Sequence, residues 1–362
     1  MAVEVLDRQL LNRATLERQL LLGRQDRTAT DAISHLVALQ AQEPLEPYVG
    51  LWSRITDFEP RHLVDLLAGR RVVRTLLMRR TLHLVTSEDC LELRPLHDAM
   101  LVTRMKGTLG RRLPGVDFED LATAGAPLFA EMPRTLSEVG GTIKDRWPGA
   151  SPRDLGDALS TLVPLVQIPP RGIWGQRAPA RNTTVEVWLG RRPEAPPEAL
   201  ENLVLRYLQA YGPASSADIR AWSGLSGLPA VIKELRPRLQ TFRDERRREL
   251  LDVPGAPLPN SDTQAPARFL PAFDNAVLGY DDRSRIIDDE HRGLSVQGAR
   301  FVLIGGRVAG VWTSSPADGD RVEVAVAPLR RISKTERTLV GDEAQRLSRF
   351  LADGRPGVVK LK

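Results

Sequence analysis

Residues 198–253 carry the clearest signal for the fold and read EALENLVLRYLQAYGPASSADIRAWSGLSGLPAVIKELRPRLQTFRDERRRELLDV. Apolar residues between 200 and 208 lie on one helical stripe, which Gly212-Pro213 ends. Two shorter helical segments follow, and two strand-like runs then flank the charged tip 243–248. Three helices followed by a β-hairpin is the order of a winged helix, a variant of the helix-turn-helix. This stretch therefore predicts one winged-helix unit.

The same order of elements is predicted twice more along the chain. The first copy has three helices and then two strand-like runs, at residues 15–22, 30–40, 62–70, 72–77 and 81–85. The second copy has helices that begin at Thr135 and Ser151, followed by a hairpin of residues 166–168 and 173–174. Three passes through helices and then a hairpin indicate a repeated architecture.

The last third of the chain follows a different pattern. Residues 301–304 and 307–312 flank Gly305-Gly306, and a two-residue glycine turn between apolar runs is a strong hairpin signal. A strand at 321–327 and an amphipathic helix at 337–351 follow, while residues 253–267 are rich in proline and polar residues and predict an exposed connector. These features indicate a small β-barrel or β-sheet domain.

The complete prediction is an α+β fold of four parts. Three tandem winged-helix units occupy residues 1–115, 116–195 and 196–256, and the C-terminal β domain with its closing helix occupies residues 257–362. Together the units are expected to form a concave DNA-binding face.

Arginine supplies most of the positive charge of this chain. The 362 residues contain 51 Lys plus Arg against 46 Asp plus Glu, which gives a net charge of +5. Only six residues are lysine. The planar guanidinium suits phosphate oxygens and guanine edges, which favours DNA as a partner. A G+C-rich genome also enriches arginine, so the composition alone leaves both explanations open.

The remaining composition points to an intracellular, cofactor-free protein. Cys90 is the only cysteine, and residues 1–11 lack the apolar block of a signal peptide, so we expect a cytoplasmic, nucleoid-associated monomer. No apolar run has the length of a membrane span. The five histidines show no metal-binding spacing, and the expected cofactor set is empty. The acidic groups at 281–282 and 288–290 leave a magnesium-dependent nuclease as an alternative.

Two glutamines stand out at the end of a predicted helix. Ile33, Leu36 and Val37 form its buried stripe, and Gln40 takes the next position on that stripe. If the chain then leaves the helix in an extended conformation, Gln40 and Gln42 point to the same side. Two neutral amides would then converge. The alternative is that Gln40 caps backbone carbonyls or lies at a domain seam.

Several blocks of the sequence resemble the winged-helix DNA glycosylase family, in the order that the family has them. They are ALQAQEP at 38–44, GLWSR at 50–54, VRTLLMRRTLHLV at 73–85, FLPAFDN at 269–275, YDDR at 280–283 and GVW at 310–312. The Gln-apolar-Gln form of residues 40–42 resembles the branch that removes azinomycin-type adducts and unhooks interstrand crosslinks in antibiotic producers. Another branch has Gln-x-Asp there, and this sequence departs from that pattern at Gln42.

The resemblance implies a monofunctional base-excision-repair hydrolase that acts on alkylated purines, with Gln40 and Gln42 as its catalytic residues. A purine alkylated at N7 leaves as a neutral base, so its departure needs no general acid. The carbonyl oxygens of both glutamines could place a water beneath C1′ and offer partial negative charge there. No lysine nucleophile is needed, so no strand-cutting lyase step is expected. The alternative is a non-catalytic winged-helix regulator, or a resistance protein that sequesters the drug.

Several side chains are candidates for contact with double-stranded DNA that carries alkylated purines or crosslinks. They are Arg79, Arg80, His83, Arg171, Trp174, Arg246, Arg247, Arg248, Phe273, Asp274, Asn275, Tyr280, Arg283 and Arg285. For some of them a structural role is the alternative: Trp174 could pack inside a wing, residues 246–248 could form a solvated hairpin tip, and Asp274 and Asn275 could cap a turn.

Overall fold

The computed structural model describes residues 4–318 and 321–362, so the first three residues of the N-terminal segment lie outside the described part. The helices are α1 (Arg8–Arg18), α2 (Ala29–His35), α3 (Glu46–Trp52), α4 (Pro60–Ala68), α5 (Ser87–Leu109), α6 (Phe118–Glu131), α7 (Leu136–Ile143), α8 (Pro152–Leu162), α9 (Val185–Leu189), α10 (Ala199–Tyr211), α11 (Ser216–Ser223), α12 (Leu228–Leu235), α13 (Asn275–Leu278), α14 (Arg292–Val296) and α15 (Lys334–Leu351). The strands are β1 (Val5–Leu6), β2 (Leu39–Gln40), β3 (Val72–Leu76), β4 (Leu82–Thr86), β5 (Leu165–Gln167), β6 (Asn182–Thr184), β7 (Gln240–Asp244), β8 (Glu249–Asp252), β9 (Arg268–Phe269), β10 (Arg300–Ile304), β11 (Arg307–Ala317), β12 (Arg321–Pro328) and β13 (Val358–Leu361). Within these described ranges, no helix combines the length and apolar character needed to cross a bilayer.

Residues 199–252 form their elements in the order that the sequence predicts. Helices α10, α11 and α12 precede the antiparallel pair β7–β8. The pair is extended by β1, which runs parallel to β7, and α1 packs against α10. A buried, two-point ion pair between Arg18 and Asp252 fixes α1 there. The N-terminal elements therefore contact the segment predicted as the third unit, although their place in the sequence grouped them with the first.

The first two predicted units share one sheet with the strand order β2-β4-β3-β5-β6. The predicted hairpin of 166–168 with 173–174 is wrong, because β5 pairs with β6 instead. Pro169 and Pro170 offer no N–H for a tight hairpin, and Ile173 is buried in the hydrophobic core. Strand β5 also pairs with β3 on the edge that β4 leaves free, with Arg74 opposite Gln167.

The C-terminal strands form an open five-stranded sheet with the order β13-β12-β11-β10-β9. Its first hairpin turns at Gly305-Gly306 as predicted, and both glycines have a positive φ, at 57° and 86°. Helix α15 covers one face with Val340, Ala344 and Leu347. Across the described residues the edge strands β9 and β13 do not pair, so the barrel alternative is wrong and the sheet alternative holds. A covering helix already buries the apolar face, so the sheet gains no further burial by closing.

Candidate active site

The glutamine segment begins with a helix that ends earlier than its periodicity predicts. Helix α2 ends at His35, and Val37 takes a left-handed φ of 68° while its amide donates to the carbonyl of Ser34. A β-branched residue is strained in this region, so the buried packing of Val37 must hold it there. The prediction that Gln40 lies at a helix end is wrong, because pairing with β4 overrides the helical pattern.

Gln40 and Gln42 lie at the end of an edge strand. Gln40 pairs with His83 across β2 and β4, and the amide of Ala41 donates to the carbonyl of Leu82 at 2.8 Å. Gln42 follows in a bend, so the common side expected from an extended chain stays a prediction. Gln40 is 8% exposed, whereas Gln42 is exposed and its Oε1 accepts a long, 3.4 Å hydrogen bond from the Leu82 amide. One amide is thus anchored and the other faces solvent.

Arg79 ties the glutamine strand to the segment predicted as the third unit. Its Nη2 donates to Gln40 Oε1 at 2.9 Å, and its Nη1 donates to the carbonyl oxygen of Trp222 at the end of α11, also at 2.9 Å. Burial is the main cause that lowers the pKa of Arg79 to about 10, and the charges of Arg283 and Arg104 add to it. Among the described residues, no carboxylate forms an ion pair with this guanidinium.

His83 is an uncharged hydrogen-bonding group beside Gln40. It is 1% exposed, and burial followed by the charge of Arg79 lowers its pKa to about 3. Nδ1 lies 2.9 Å from the carbonyl oxygen of Thr81. A carbonyl only accepts, so Nδ1 must carry the hydrogen, and Nε2 is left as an acceptor. His83 therefore cannot supply a proton as a general acid near neutral pH.

A second buried arginine supports the opposite side of the glutamine strand. Arg74 is 1% exposed, and its Nη2 donates at 2.7 Å to the carbonyl of Ala41, between the two glutamines. Its Nε and Nη1 have no hydrogen-bond partner in the described part of the chain, and burial is the main cause that lowers its pKa to about 10. Gly172, with a φ of 91°, allows the loop to pass close to this side chain. This role of Arg74 was not among the predictions from the sequence.

Five of the predicted DNA contacts are instead buried within the protein: His83, described above, and Asp274, Asn275, Tyr280 and Arg285. Asp274 forms a two-point ion pair with Arg54 and accepts from the amide of Ala276, which caps α13. Asn275 donates to the carbonyl of Ala38 at 2.6 Å. The turn-capping alternative therefore describes Asp274, and Asn275 holds the residue that precedes the glutamine strand.

Tyr280 and Arg285 are likewise internal. The Tyr280 hydroxyl lies 3.0 Å from Thr15 Oγ1 and donates to the carbonyl of Tyr211, and the Arg285 guanidinium covers the Tyr280 ring. Arg285 also donates to the carbonyl of Pro213. The polar groups of these two side chains, and those of Asp274 and Asn275, are bonded to other parts of the protein. They are therefore not assigned to the DNA interface.

Two further predicted residues lie between the buried cluster and the surface. Arg283 is partly buried, donates to Ser295 Oγ at 2.7 Å, and lies close enough to Arg79 to affect its pKa. Phe273 is partly buried, has a φ of 61° and packs on Gly298. Of the two, Arg283 is the one whose charge acts on Arg79, the residue bonded to Gln40.

The arginines of the β7–β8 hairpin and of the β3–β4 loop differ in whether their side chains form ion pairs. At the tip of the β7–β8 hairpin, Arg246 and Arg248 form ion pairs with Asp282, whereas no side-chain partner is described for the exposed Arg247. Arg80 is paired with Asp157. Asp282, which pairs with both of these hairpin arginines, directly precedes Arg283 in the chain.

Arg171 and Trp174 lie on the loop that faces the segment after Gln42. Trp174 packs between Tyr48 and Phe350, which lie on helices and not in a wing, and its Nε1 donates to Asp353. Arg171 borders a cleft of about 600 Å³ between residues 43–46 and 171–179. Its Nη1 donates to the carbonyl of Ala178 and its charge acts on Arg74, so it lies on the side of the strand that Arg74 supports.

Arg104 is a basic residue of this site that the predictions from the sequence missed. It is exposed on α5, no hydrogen bond or ion pair of its guanidinium is described, and this group lies near Gly224, two residues after Trp222. Its charge acts on Arg79. The periodicity of α5 places it on the solvent side, so only the packing of α5 against α11 could reveal it.

This fold has a counterpart among solved DNA glycosylase structures. The structure is similar to that of Streptomyces sahachiroi DNA glycosylase AlkZ, with a TM-score of 0.76 and 20% sequence identity over 98% of this chain and 99% of that chain. At this identity the likeness concerns the fold alone. No curated protein sequence matches the chain.

The family follows from the sequence model. The model described as AlkZ-like DNA glycosylase matches residues 33–350, so the chain belongs to the AlkZ-like DNA glycosylase family. It is therefore a DNA-repair enzyme whose substrate is DNA, and the enzyme class expected from the sequence is confirmed.

Proposed function

We propose that this glycosylase hydrolyses the N-glycosidic bond of purines that carry an alkyl group on N7, with a water molecule held between Gln40 and Gln42. The observation that carries the proposal is the position of both glutamines beside β4, where Gln40 pairs with His83 and Gln42 Oε1 accepts from the Leu82 amide. Arg79 donates to Gln40, and the charges of Arg104 and Arg283 act on Arg79, so the surroundings of Gln40 are basic, which suits a phosphodiester chain. Neutral acceptors in a basic cleft are what this substrate requires.

The charge of the damaged base decides what catalysis must supply. Alkylation at N7 makes the purine cationic, so when the bond from C1′ to N9 breaks, its electron pair neutralises the ring and no proton donor is needed. The sugar passes through an oxocarbenium-like state. The amide oxygens accept hydrogen bonds from the water, whose oxygen attacks C1′ and whose proton passes to solvent. This fits His83, which is neutral and cannot act as an acid.

Weak catalytic groups also give selectivity. An undamaged purine would leave as an anion and requires protonation, which two amides cannot provide. The enzyme therefore discriminates by the chemistry of the leaving base, and a tight base pocket is not needed. Without a lysine nucleophile, the product is an intact strand with an abasic site.

We also propose that the winged-helix segment at 199–252 and the sheet shared by the first two predicted units form a concave DNA-binding face able to accept bulky adducts and interstrand crosslinks of the azinomycin type. A crosslinked base cannot leave the duplex to enter a closed pocket, so an open cleft is required. The exposure of Gln42 supports this, because an acceptor open to solvent can reach a base that stays in the duplex. We assign phosphate contacts to Arg247 and Arg104, which are exposed and have no described side-chain partner.

The test is a glycosylase assay on defined duplexes. We expect the protein to release N7-methylguanine, with the abasic sites revealed by alkaline cleavage, and to unhook an N7-linked interstrand crosslink. An unmodified duplex of the same sequence is the control and should remain intact. Binding of these duplexes without any abasic product would instead support the regulator or drug-sequestering alternative.

The rate on an N7-methylguanine duplex should not depend on pH. Neither glutamine titrates, and the pKa of His83 lies at about 3, so no catalytic group changes charge between about pH 6 and 9. Single-turnover rates across this interval measure the profile. A bell-shaped profile would show that an acid or base acts in the reaction and would contradict the proposal.

Stability, in contrast, should fall with acidification. Burial lowers the pKa of His83 from its ordinary 6.5 to about 3, so the unfolded chain binds more protons between these values. The stabilisation is complete above about pH 6.5 and is lost as the pH falls towards about 3. Urea midpoints measured at several pH values should therefore decrease below about pH 6.5, and less steeply for His83→Gln.

Arg247→Ala should weaken DNA binding in a salt-dependent way. Its exposed guanidinium has no described partner, so it can replace a counterion on a phosphate. We expect the slope of log K against log salt concentration to decrease by about one. The matched control is Arg236→Ala. Arg236 contacts the same hairpin, but its guanidinium is bonded at two points to Glu249. Equal slopes for both variants would remove Arg247 from the interface.

A further inference from the structure

We propose that Arg79 is a positioning residue that fixes the orientation of the Gln40 amide, and that its guanidinium does not bind a DNA phosphate. This inference rests on the proposed water mechanism. It also revises the expectation from the sequence, in which Arg79 was a DNA contact. The geometry that supports it is a planar fork whose two ends are both occupied inside the protein.

The fork has one fixed end and one end on the catalytic amide. Nη1 donates to the carbonyl of Trp222, whose ring is 1% exposed and packs against Tyr207 and Tyr211 at centroid distances of 5.0 and 5.3 Å. Nη2 donates to Gln40 Oε1. Because the guanidinium is rigid and planar, the fixed Trp222 carbonyl also fixes the position of the donor that faces Gln40.

The orientation of that amide matters because its two ends have opposite hydrogen-bonding roles. The last side-chain torsion of glutamine has a broad, roughly two-fold preference, so the oxygen and the NH₂ group exchange places easily. Arg79 only donates, so it selects the rotamer in which Oε1 faces it. The oxygen keeps a second lone pair at a defined place to accept from the attacking water. In the flipped rotamer an NH₂ group would occupy that place.

The loop that carries Arg79 is built to hold it there. Arg79 and Arg80 both take left-handed φ values, of 57° and 61°, which non-glycine residues rarely adopt. Arg80 anchors the loop on the other side through Asp157 and Thr161. A guanidinium that binds phosphates needs a side chain that is free to reach them. The Arg79 side chain is partly buried, and its guanidinium is bonded at both ends.

A double-mutant cycle in the full-length protein tests the inference. Arg79→Lys keeps the charge but cannot bridge two acceptors in one plane. We expect the single-turnover rate on an N7-methylguanine duplex to fall about 10- to 100-fold, with DNA affinity and its salt slope unchanged. Combined with Gln40→Ala, Arg79→Lys should cause no further loss, because its effect passes through Gln40. Arg79→Ala should regain part of its rate when guanidinium is added.

The neighbouring arginine provides the matched control. Arg80→Lys changes the same left-handed loop, but Arg80 is bonded to Asp157 and not to a glutamine. Whatever loss it causes should be equal in the wild-type background and in the Gln40→Ala background. Circular dichroism and thermal melting verify that every variant is folded.

The outcomes separate this inference from the proposed mechanism. The positioning role is overturned if Arg79→Lys lowers the rate of Gln40→Ala by the same factor as it lowers the wild-type rate, or if it lowers the salt slope of DNA binding. As long as Gln40→Ala itself slows the reaction, the water mechanism stands in either case. If Gln40→Ala retains the wild-type rate, both are overturned.

Discussion

Replacing either Gln40 or Gln42 with alanine is expected to lower the single-turnover rate on N7-methylguanine DNA by about 100-fold, with DNA binding intact. A factor of that size corresponds to about 2.7 kcal/mol of transition-state stabilisation. The reason is that each amide oxygen contributes a fixed acceptor for the water and a partial negative charge near C1′. Neither variant removes a positive charge, so the phosphate contacts persist.

The two glutamines should differ when the substitution keeps the acceptor. Gln42 is exposed and carries only a long backbone hydrogen bond, so Gln42→Glu is expected to retain much of the rate, whereas Gln42→Met, of similar size but without a comparable acceptor, is expected to lose it. In Gln40→Glu the carboxylate would instead pair with Arg79. This contrast isolates hydrogen-bond acceptance from side-chain volume.

A third glutamine serves as the matched control. Gln209 is exposed on α10 and has no described side-chain partner, so Gln209→Ala should react as the wild type does. Each variant is compared under enzyme excess, with the affinity measured separately on an unmodified duplex. Rates at the wild-type level in both Gln40→Ala and Gln42→Ala would end the water mechanism, although the family membership would be unaffected.

The sequence predicted those features that depend on local physical rules. Apolar periodicity and Gly212-Pro213 place α10 and the elements after it, and Gly305-Gly306 specifies the turn of a hairpin. Such features are decided within a few residues.

The sequence could not reveal what depends on distant pairing. Helix α2 stops at His35 because β4 competes for residues 39–41 and Asn275 holds the carbonyl of Ala38, and neither partner is near in the chain. For the same reason a polar residue such as Asp274 is ambiguous in sequence. It could face DNA or a buried arginine, and only the position of Arg54 decides.

That buried pair leads to the second large effect: Asp274→Ala is expected to lower the free energy of unfolding by about 3–5 kcal/mol. The side chains of Arg54 and Asp274 are 0% and 1% exposed, and they meet through two hydrogen bonds of 2.9 and 2.8 Å. Without the carboxylate, the guanidinium is left buried and unpaired. The loss should also loosen the glutamine strand, because the neighbouring Asn275 anchors Ala38.

Thermal and urea denaturation measure the effect, with an exposed ion pair as the comparison. Glu249→Gln breaks the ion pair between Glu249 and Arg236. Both side chains are about half exposed, so the free energy of unfolding should fall by less than about 1 kcal/mol. The double variant Arg54→Met with Asp274→Leu removes both buried charges together, so it should recover part of the stability that Asp274→Ala loses. If Asp274→Ala unfolds no earlier than Glu249→Gln, the pair does not hold these segments together. In that case the anchoring of the glutamine strand would have to come from Asn275 and Arg74 alone.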